Sequence, residues 1–233
     1  MRIVTVGNLK GGTGKTTLVV NLAAAAEGRG IRTVVIDLDP QQSAGKWADQ
    51  RSAAGDGTER PAVLSAQATR LEPVLREAER LGADLVVMDT AAHEPAILKP
   101  AIEAAAVVLI PSRPTGMELQ HIMETASLVA EARKPVAVVL NAVPARAHEL
   151  DEARRFVGKL KIPLAPLFIS DLRGYSRAVT AAQGVTEQEP GGKAAAEIAA
   201  LLDWVVEHLK IPSHRKVGKK ESLFSVLREK LTA

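Results

Sequence analysis

The sequence predicts an α/β fold, a doubly wound, mostly parallel sheet with helices on both faces, and three observations lead there. Short apolar runs alternate with helical patterns almost from end to end. Most of those runs are rich in Val, Ile and Leu with no polar alternation, as suits strands covered on both faces. The first run opens into a glycine-rich loop that leads directly into a helix. A length of 233 residues with 46% hydrophobic side chains suits one such domain.

In chain order, the expected strands are Ile3–Val6, Thr33–Ile36, Ala62–Leu64, Leu85–Met88, Val107–Ile110, Val136–Leu140 and Leu164–Phe168. Between them, helical patterns cover Thr16–Glu27, Thr69–Leu81, Glu118–Ala132 and Glu149–Leu160. Arg51–Arg60 (RSAAGDGTER) reads as a polar surface loop. Lys193–Lys210 reads as a long closing helix with Ile198, Leu201, Leu202 and Val205 as its apolar stripe, ended by Pro212. These elements make residues 1–210 the expected domain. Residues 211–233 are then a basic C-terminal extension, with a short amphipathic helix over Ser222–Leu231.

Composition narrows the chemistry. Cysteine is absent, which excludes disulfides, thiolate metal sites and cysteine-held iron–sulfur clusters. No run approaches the ~18–20 apolar residues of a membrane span. The strand pattern begins at Arg2, which argues against a signal peptide and makes a cytoplasmic location the expectation. The net charge is +3, yet Lys210–Ala233 holds seven Lys/Arg against two Glu, leaving 23 basic and 25 acidic residues before it. A basic tail on a near-neutral body points to a polyanion, either nucleic acid or an acidic membrane surface.

The loop Gly7-Asn-Leu-Lys-Gly-Gly-Thr-Gly-Lys-Thr-Thr17 carries the chemistry. Gly11, Gly12 and Gly14 allow backbone angles that turn successive N–H groups, Thr13 included, toward a phosphate. The helix that follows adds its partial positive charge. Lys15 is placed for the β/γ-phosphates of ATP, Thr16 for Mg²⁺, and Thr17 continues the nucleotide-binding set. Where the general phosphate-loop pattern has another Gly, this chain has Leu9, and it adds an extra lysine, Lys10. Two further strands end in carboxylates, Asp37 with Asp39 and then Asp89, at the sheet edge where metal-bound phosphates sit. His93 is expected to hold only a surface or capping position.

Lys10-Gly-Gly-Thr-Gly-Lys-Thr16, Asp37-Leu-Asp-Pro-Gln41 and Asp89-Thr90 together resemble the deviant Walker A ATPases, and within them the ParA group that partitions plasmids and other cargo. The resemblance spans about residues 2–209 and includes Leu109-Ile-Pro-Ser-Arg-Pro114 and Val138-Val-Leu-Asn141. It implies an ATPase with weak intrinsic activity that forms an ATP-sandwich homodimer. Lys10 would then reach the partner's phosphates, Asp39 would position the attacking water, and Asp37 and Asp89 would support the metal. Asn141 would lie near the adenine, and Pro111 and Pro114 would sit in a loop at the dimer interface. With the phosphate-loop strand beginning at residue 2, no N-terminal helix-turn-helix is expected, and the chain resembles the short plasmid class of that group.

The same resemblance implies non-specific DNA binding, a nucleoid-associated location, and stimulation by a ParB-like or ribbon-helix-helix centromere-binding protein. Candidate DNA contacts are Arg173, Arg177 and Lys193, with Arg215, Lys216, Lys219 and Lys220 in the tail. Two alternatives stay open. Leu223, Phe224, Leu227 and Leu231 share one face of the terminal segment, as in the membrane-binding helix of a MinD-like positioning ATPase. A metabolic enzyme that phosphorylates a small molecule could use the same fold.

Overall fold

The computed structural model describes residues 1–54, 60–145 and 148–212. Seven strands form one sheet: β1 (Arg2–Val6), β2 (Thr33–Asp37), β3 (Ala62–Ser65), β4 (Leu85–Asp89), β5 (Val107–Ser112), β6 (Val136–Val143) and β7 (Leu164–Ser170). Their order is β3-β2-β4-β1-β5-β6-β7, and every neighbouring pair is parallel. Helices α1 (Lys15–Gly28), α2 (Ser43–Ala53), α3 (Leu71–Arg80), α4 (Pro95–Ala104) and α5 (Gly116–Glu131) cover it, with α6 (His148–Lys159), α7 (Arg173–Thr180), α8 (Val185–Gln188) and α9 (Lys193–Leu209). This is the doubly wound fold that the apolar runs predict.

Both faces of the sheet are apolar, which explains why the strands show no polar alternation. Val4, Val6, Val35, Val87, Leu109 and Val139 face one core with α1 and α9. The intervening Val34, Ile36, Val86 and Met88 face a second core with α3, while Val108, Ile110, Val138 and Leu140 face a third with Ile122 and Val129 of α5. Helix α1 is buried on nearly all sides, and its alanines Ala23–Ala26 let other elements approach closely. A Cβ at Gly184 would stand 2.6 Å from the Ala24 methyl.

Register fixes the functional edge. Val6 and Asp37 are both paired with Asp89, and Val6 with Leu109, so β1, β2, β4 and β5 reach one level together. The chain leaves β1 toward β2 on one side and later returns to β5 on the other. The order thus reverses beside β1, where such sheets hold their ligands.

The expectation of a polar loop from Arg51 to Arg60 needs correction at its start. Residues 51–53 close α2, and Arg51 is buried rather than solvated. Its guanidinium lies 5.2 Å from the Trp47 ring centroid, pairs with Glu187 and donates to the Arg60 and Ala182 carbonyls. Residues 55–59 lie outside the described residues, as do the expected helix Ser222–Leu231 and the tail candidates Arg215, Lys216, Lys219 and Lys220. Among the described residues no helix is long and apolar enough to cross a membrane.

Candidate nucleotide site

The phosphate loop leaves β1 at Gly7 and enters α1 at Lys15. Gly12 and Gly14 adopt φ of 74° and 86°, which side chains on other residues disfavour. At Gly14 space forbids a side chain as well, because a Cβ there would collide with the Asn141 amide. That amide donates to the Thr13 carbonyl at 2.7 Å. Asn141 therefore braces the loop from the end of β6 and also lines the cleft beside it.

Asn8 and Thr125 hold the other side, and sequence reasoning assigned neither. The Asn8 amide donates to the Pro111 carbonyl at 2.8 Å, while its oxygen accepts the Lys10 N–H at 2.9 Å. The Thr125 hydroxyl accepts the Leu9 N–H at 3.1 Å. Both side chains are fully buried. A polar residue two places before Lys10 was the only signal in the sequence, since Thr125 lies on a distant helix.

Lys15 is buried, and its Nζ donates to the Lys10 carbonyl at 3.3 Å. Burial lowers its pKa, while the carboxylates of Asp89 and Asp39 act against that. The Thr16 hydroxyl donates to Asp89 Oδ2 at 2.6 Å. The other Asp89 oxygen is buried with no hydrogen-bond partner among the described residues. Burial, reinforced by Asp37 and Asp39, pushes the Asp89 carboxyl up to about 7, against the Thr16 hydrogen bond and Lys15. An orphaned oxygen beside a hydroxyl, amid carboxylates that repel one another, fits a divalent cation. Among the described residues no three His, Cys, Asp or Glu side chains form a metal cage. Mg²⁺ needs none where phosphates and water complete its shell.

Asp37 is placed differently. Its two oxygens accept the N–H groups of Asp39 and Gly45, each at 3.0 Å, and burial raises its pKa. It thereby ties the turn carrying Asp39 to the first turn of α2. Asp39 is half-buried and accepts the Gln41 N–H at 2.8 Å.

Beside the loop lies a cleft of about 510 Å³, walled by Gly12–Gly14, Thr17 and Leu18, by Asn141 and Ala142, and by the β7–α7 segment from Ile169 to Ser176. That volume suits a nucleoside. Behind it, Glu197 accepts from the Ser170 and Tyr175 hydroxyls at 2.6 and 3.0 Å, fixing the wall. Burial and Glu197 raise the Tyr175 pKa, so its hydroxyl stays a donor.

Of the expected DNA contacts within the described residues, Arg173 lines this cleft and Arg177 is exposed one turn further along α7. Lys193, at the start of α9, is exposed and lies 3.8 Å from Glu197. The structure thus brings Gly11 to Thr17, Asp37, Asp39, Asp89 and Asn141 to one edge and sets the three basic residues on the flank formed by α7 and α9.

Comparison with known proteins shows the family and the fold. The CobQ/CobB/MinD/ParA nucleotide binding domain matches residues 4–183. The chain is 36% identical over 213 residues to the maintenance of carboxysome distribution protein A of Gloeobacter kilaueensis, covering 89% of this chain and 94% of that one. It is 28% identical over 266 residues to protein IncC of Escherichia coli, covering 91% and 71%. The solved septum site-determining protein MinD of Pyrococcus horikoshii, complexed with Mg-ADP, superposes with a TM-score of 0.71 at 18% identity over 88% of this chain and 95% of that one, a likeness of fold. With the family's domain spanning most of its length and a phosphate loop, strand-end carboxylates and nucleoside cleft on one sheet edge, the chain belongs to the CobQ/CobB/MinD/ParA family of P-loop ATPases.

Proposed function

We propose that this protein is a positioning ATPase that closes as a homodimer on ATP, binds non-specific DNA in that state, and lets go when a cargo-bound, ParB-like partner stimulates hydrolysis. The observation that carries this reading is Lys10. Its backbone is fixed by Asn8 and Lys15, while the residue is half-buried and its side chain has no hydrogen-bond or ion-pair partner among the described residues. A lysine that its own loop does not use is available to a second copy's nucleotide.

In this reading the N–H groups from Gly11 to Thr17 bind phosphates and Lys15 neutralises them. Thr16 and Asp89 would hold Mg²⁺, with Asp37 supporting the turn beside it. The cation would supply neutralisation of charge developing between the β- and γ-phosphates. Asp39 orients the attacking water, and Asn141 borders the adenine. Carboxylates and lysines alone make slow intrinsic turnover the expectation; an arginine supplied in trans typically adds ~10³–10⁵. Likeness to a protein named for carboxysome distribution makes a large protein assembly as suitable a cargo as a plasmid. Arg173, Arg177, Lys193 and the tail lysines and arginines are the proposed DNA contacts, and nucleoid association would follow.

The test is binding to non-specific duplex DNA with ATP, ADP or no nucleotide at two salt concentrations. Lys15→Ala and a chain ending at Lys210 are measured alongside. Binding that needs ATP and Lys15, and weakens with a logarithmic salt slope of ~0.9 per neutralised phosphate, is expected. Absence of binding in every nucleotide state overturns the DNA reading, and ATP-dependent capture by anionic vesicles instead would establish the membrane-positioning alternative.

A further inference from the structure

The segment after Asp89 holds a side chain with no role so far. Thr90 donates its hydroxyl to the Val6 carbonyl at 3.1 Å, and the chain then crosses in front of the phosphate loop. There the His93 N–H donates to the Leu9 carbonyl at 2.9 Å. His93 adopts φ of 60°, the left-handed region that residues with a side chain enter only under strain. Its Nε2 and the Ala92 methyl lie 3.6 and 3.7 Å from where a Cβ on Gly11 would stand. The ring is solvent-exposed and has no hydrogen-bond or ion-pair partner among the described residues.

Helix α4 does not need this geometry, since its cap is Glu94 and Pro95 opens it. What the strained backbone does is hold an imidazole against the Lys10–Gly11 peptide. The Lys15 ammonium reaches the Lys10 carbonyl of that same peptide at 3.3 Å. A phosphate-loop lysine serves the β- and γ-phosphates, and the imidazole beside Gly11 and the ammonium bonded to the adjoining Lys10 carbonyl meet at one stretch of that loop.

We propose that His93 is a specificity-determining residue: it contacts the terminal phosphate of the bound nucleotide and so separates ATP from ADP. The inference rests on the nucleotide site alone, independent of DNA binding or dimerisation. A neutral imidazole donates one hydrogen bond to a phosphate oxygen and an imidazolium adds charge. Either contact exists only when the third phosphate is present.

The experiment measures the affinity of ATPγS and of ADP, both with Mg²⁺, at low protein concentration. Wild type is compared with His93→Gly, which removes the ring and relieves the backbone, and with His93→Asn, which tolerates the left-handed conformation and keeps a donor. Lys15→Ala serves as the control that loses both nucleotides. Five- to tenfold weaker ATPγS binding by His93→Gly is expected, with ADP affinity changed less than twofold, an unchanged or raised Tm, and partial recovery in His93→Asn. An unaltered ratio of the two affinities in His93→Gly overturns the proposal while the nucleotide site stands. Failure of wild type to bind either nucleotide overturns both.

Discussion

Asp89 shows how one side chain can be costly to the empty protein and necessary to the loaded one. Its carboxyl is buried, half-satisfied and shifted up to about 7, above the usual carboxylate range near 4. Between those values the folded protein keeps a proton that the unfolded chain gives up, so stability falls as pH rises from about 4 to about 7 and then levels. Asp89→Asn removes that dependence while its amide oxygen can still accept from Thr16. The expected outcome is a nucleotide-free variant more stable than wild type by up to about 4 kcal/mol at pH 8, at about 1.4 kcal/mol per unit of the shift, the gap closing toward pH 4.5, with stabilisation by Mg·ATP lost. Chemical denaturation across that pH range checks it; equal stability at pH 8 would show the carboxylate to be accommodated without cost. The neighbouring Asn141 illustrates a different limit. Its place at a strand end was visible in the sequence, whereas its hydrogen bond to Thr13 depends on β6 lying two strands from β1.

At the scale of elements, α2 is where sequence reading and structure part. SAGKWADQRSA offers only Ala44, Trp47, Ala48 and Arg51 to the interior, too thin an apolar stripe to announce a helix. Arg51 completes the buried face by stacking on Trp47 and crossing to Glu187. One end of α2 is held by Asp37 and the other by Arg51, so the helix links the carboxylate turn to the α7–α8 corner beside the nucleoside cleft. Arg51→Met would take the arginine's hydrogen bonds from the Arg60 and Ala182 carbonyls and from Glu187 together, leaving Glu187 the Gly184 N–H. Because Glu187 is part-exposed, a loss of about 2–3 kcal/mol is expected, at the lower end for a broken buried pair, with Glu187→Gln milder. Urea unfolding measures both, and a loss under about 0.5 kcal/mol in Arg51→Met would reduce the network to ornament.

Across the whole molecule, stability rests on α1 and α9 packing side by side against one face of the sheet. Leu201 on α9 is fully buried in the core that also contains Leu22 and Val4. Leu201→Ala is expected to cost ~2–5 kcal/mol through lost transfer energy and the cavity left behind. Thermal and urea unfolding should both register it. A marginal effect would mean that the alanine-rich α1 and α9 close over the gap. The same layering carries the site, since α1 begins at Lys15 and its burial fixes the direction in which the loop's N–H groups point.

By itself the sequence determined the fold class, the seven strands to within a few residues and the phosphate loop, because these are local: periodicity, glycine placement and a Lys-Thr pair act within a few residues. It also supplied the carboxylates, since Asp37 and Asp89 close their strands and Asp39 follows Asp37 by two residues. It did not reveal α2, α4, α7 or α8, which are short, polar on much of their surface, or interrupted by Pro100. Only the tertiary structure decided that Arg51 is interior, that Asn8, Thr125 and Asn141 brace the loop, that Arg173 faces the cleft, and that His93 stands over Gly11. Each of these facts joins residues distant in the chain, and their proximity comes from strand order and register, which no local pattern encodes.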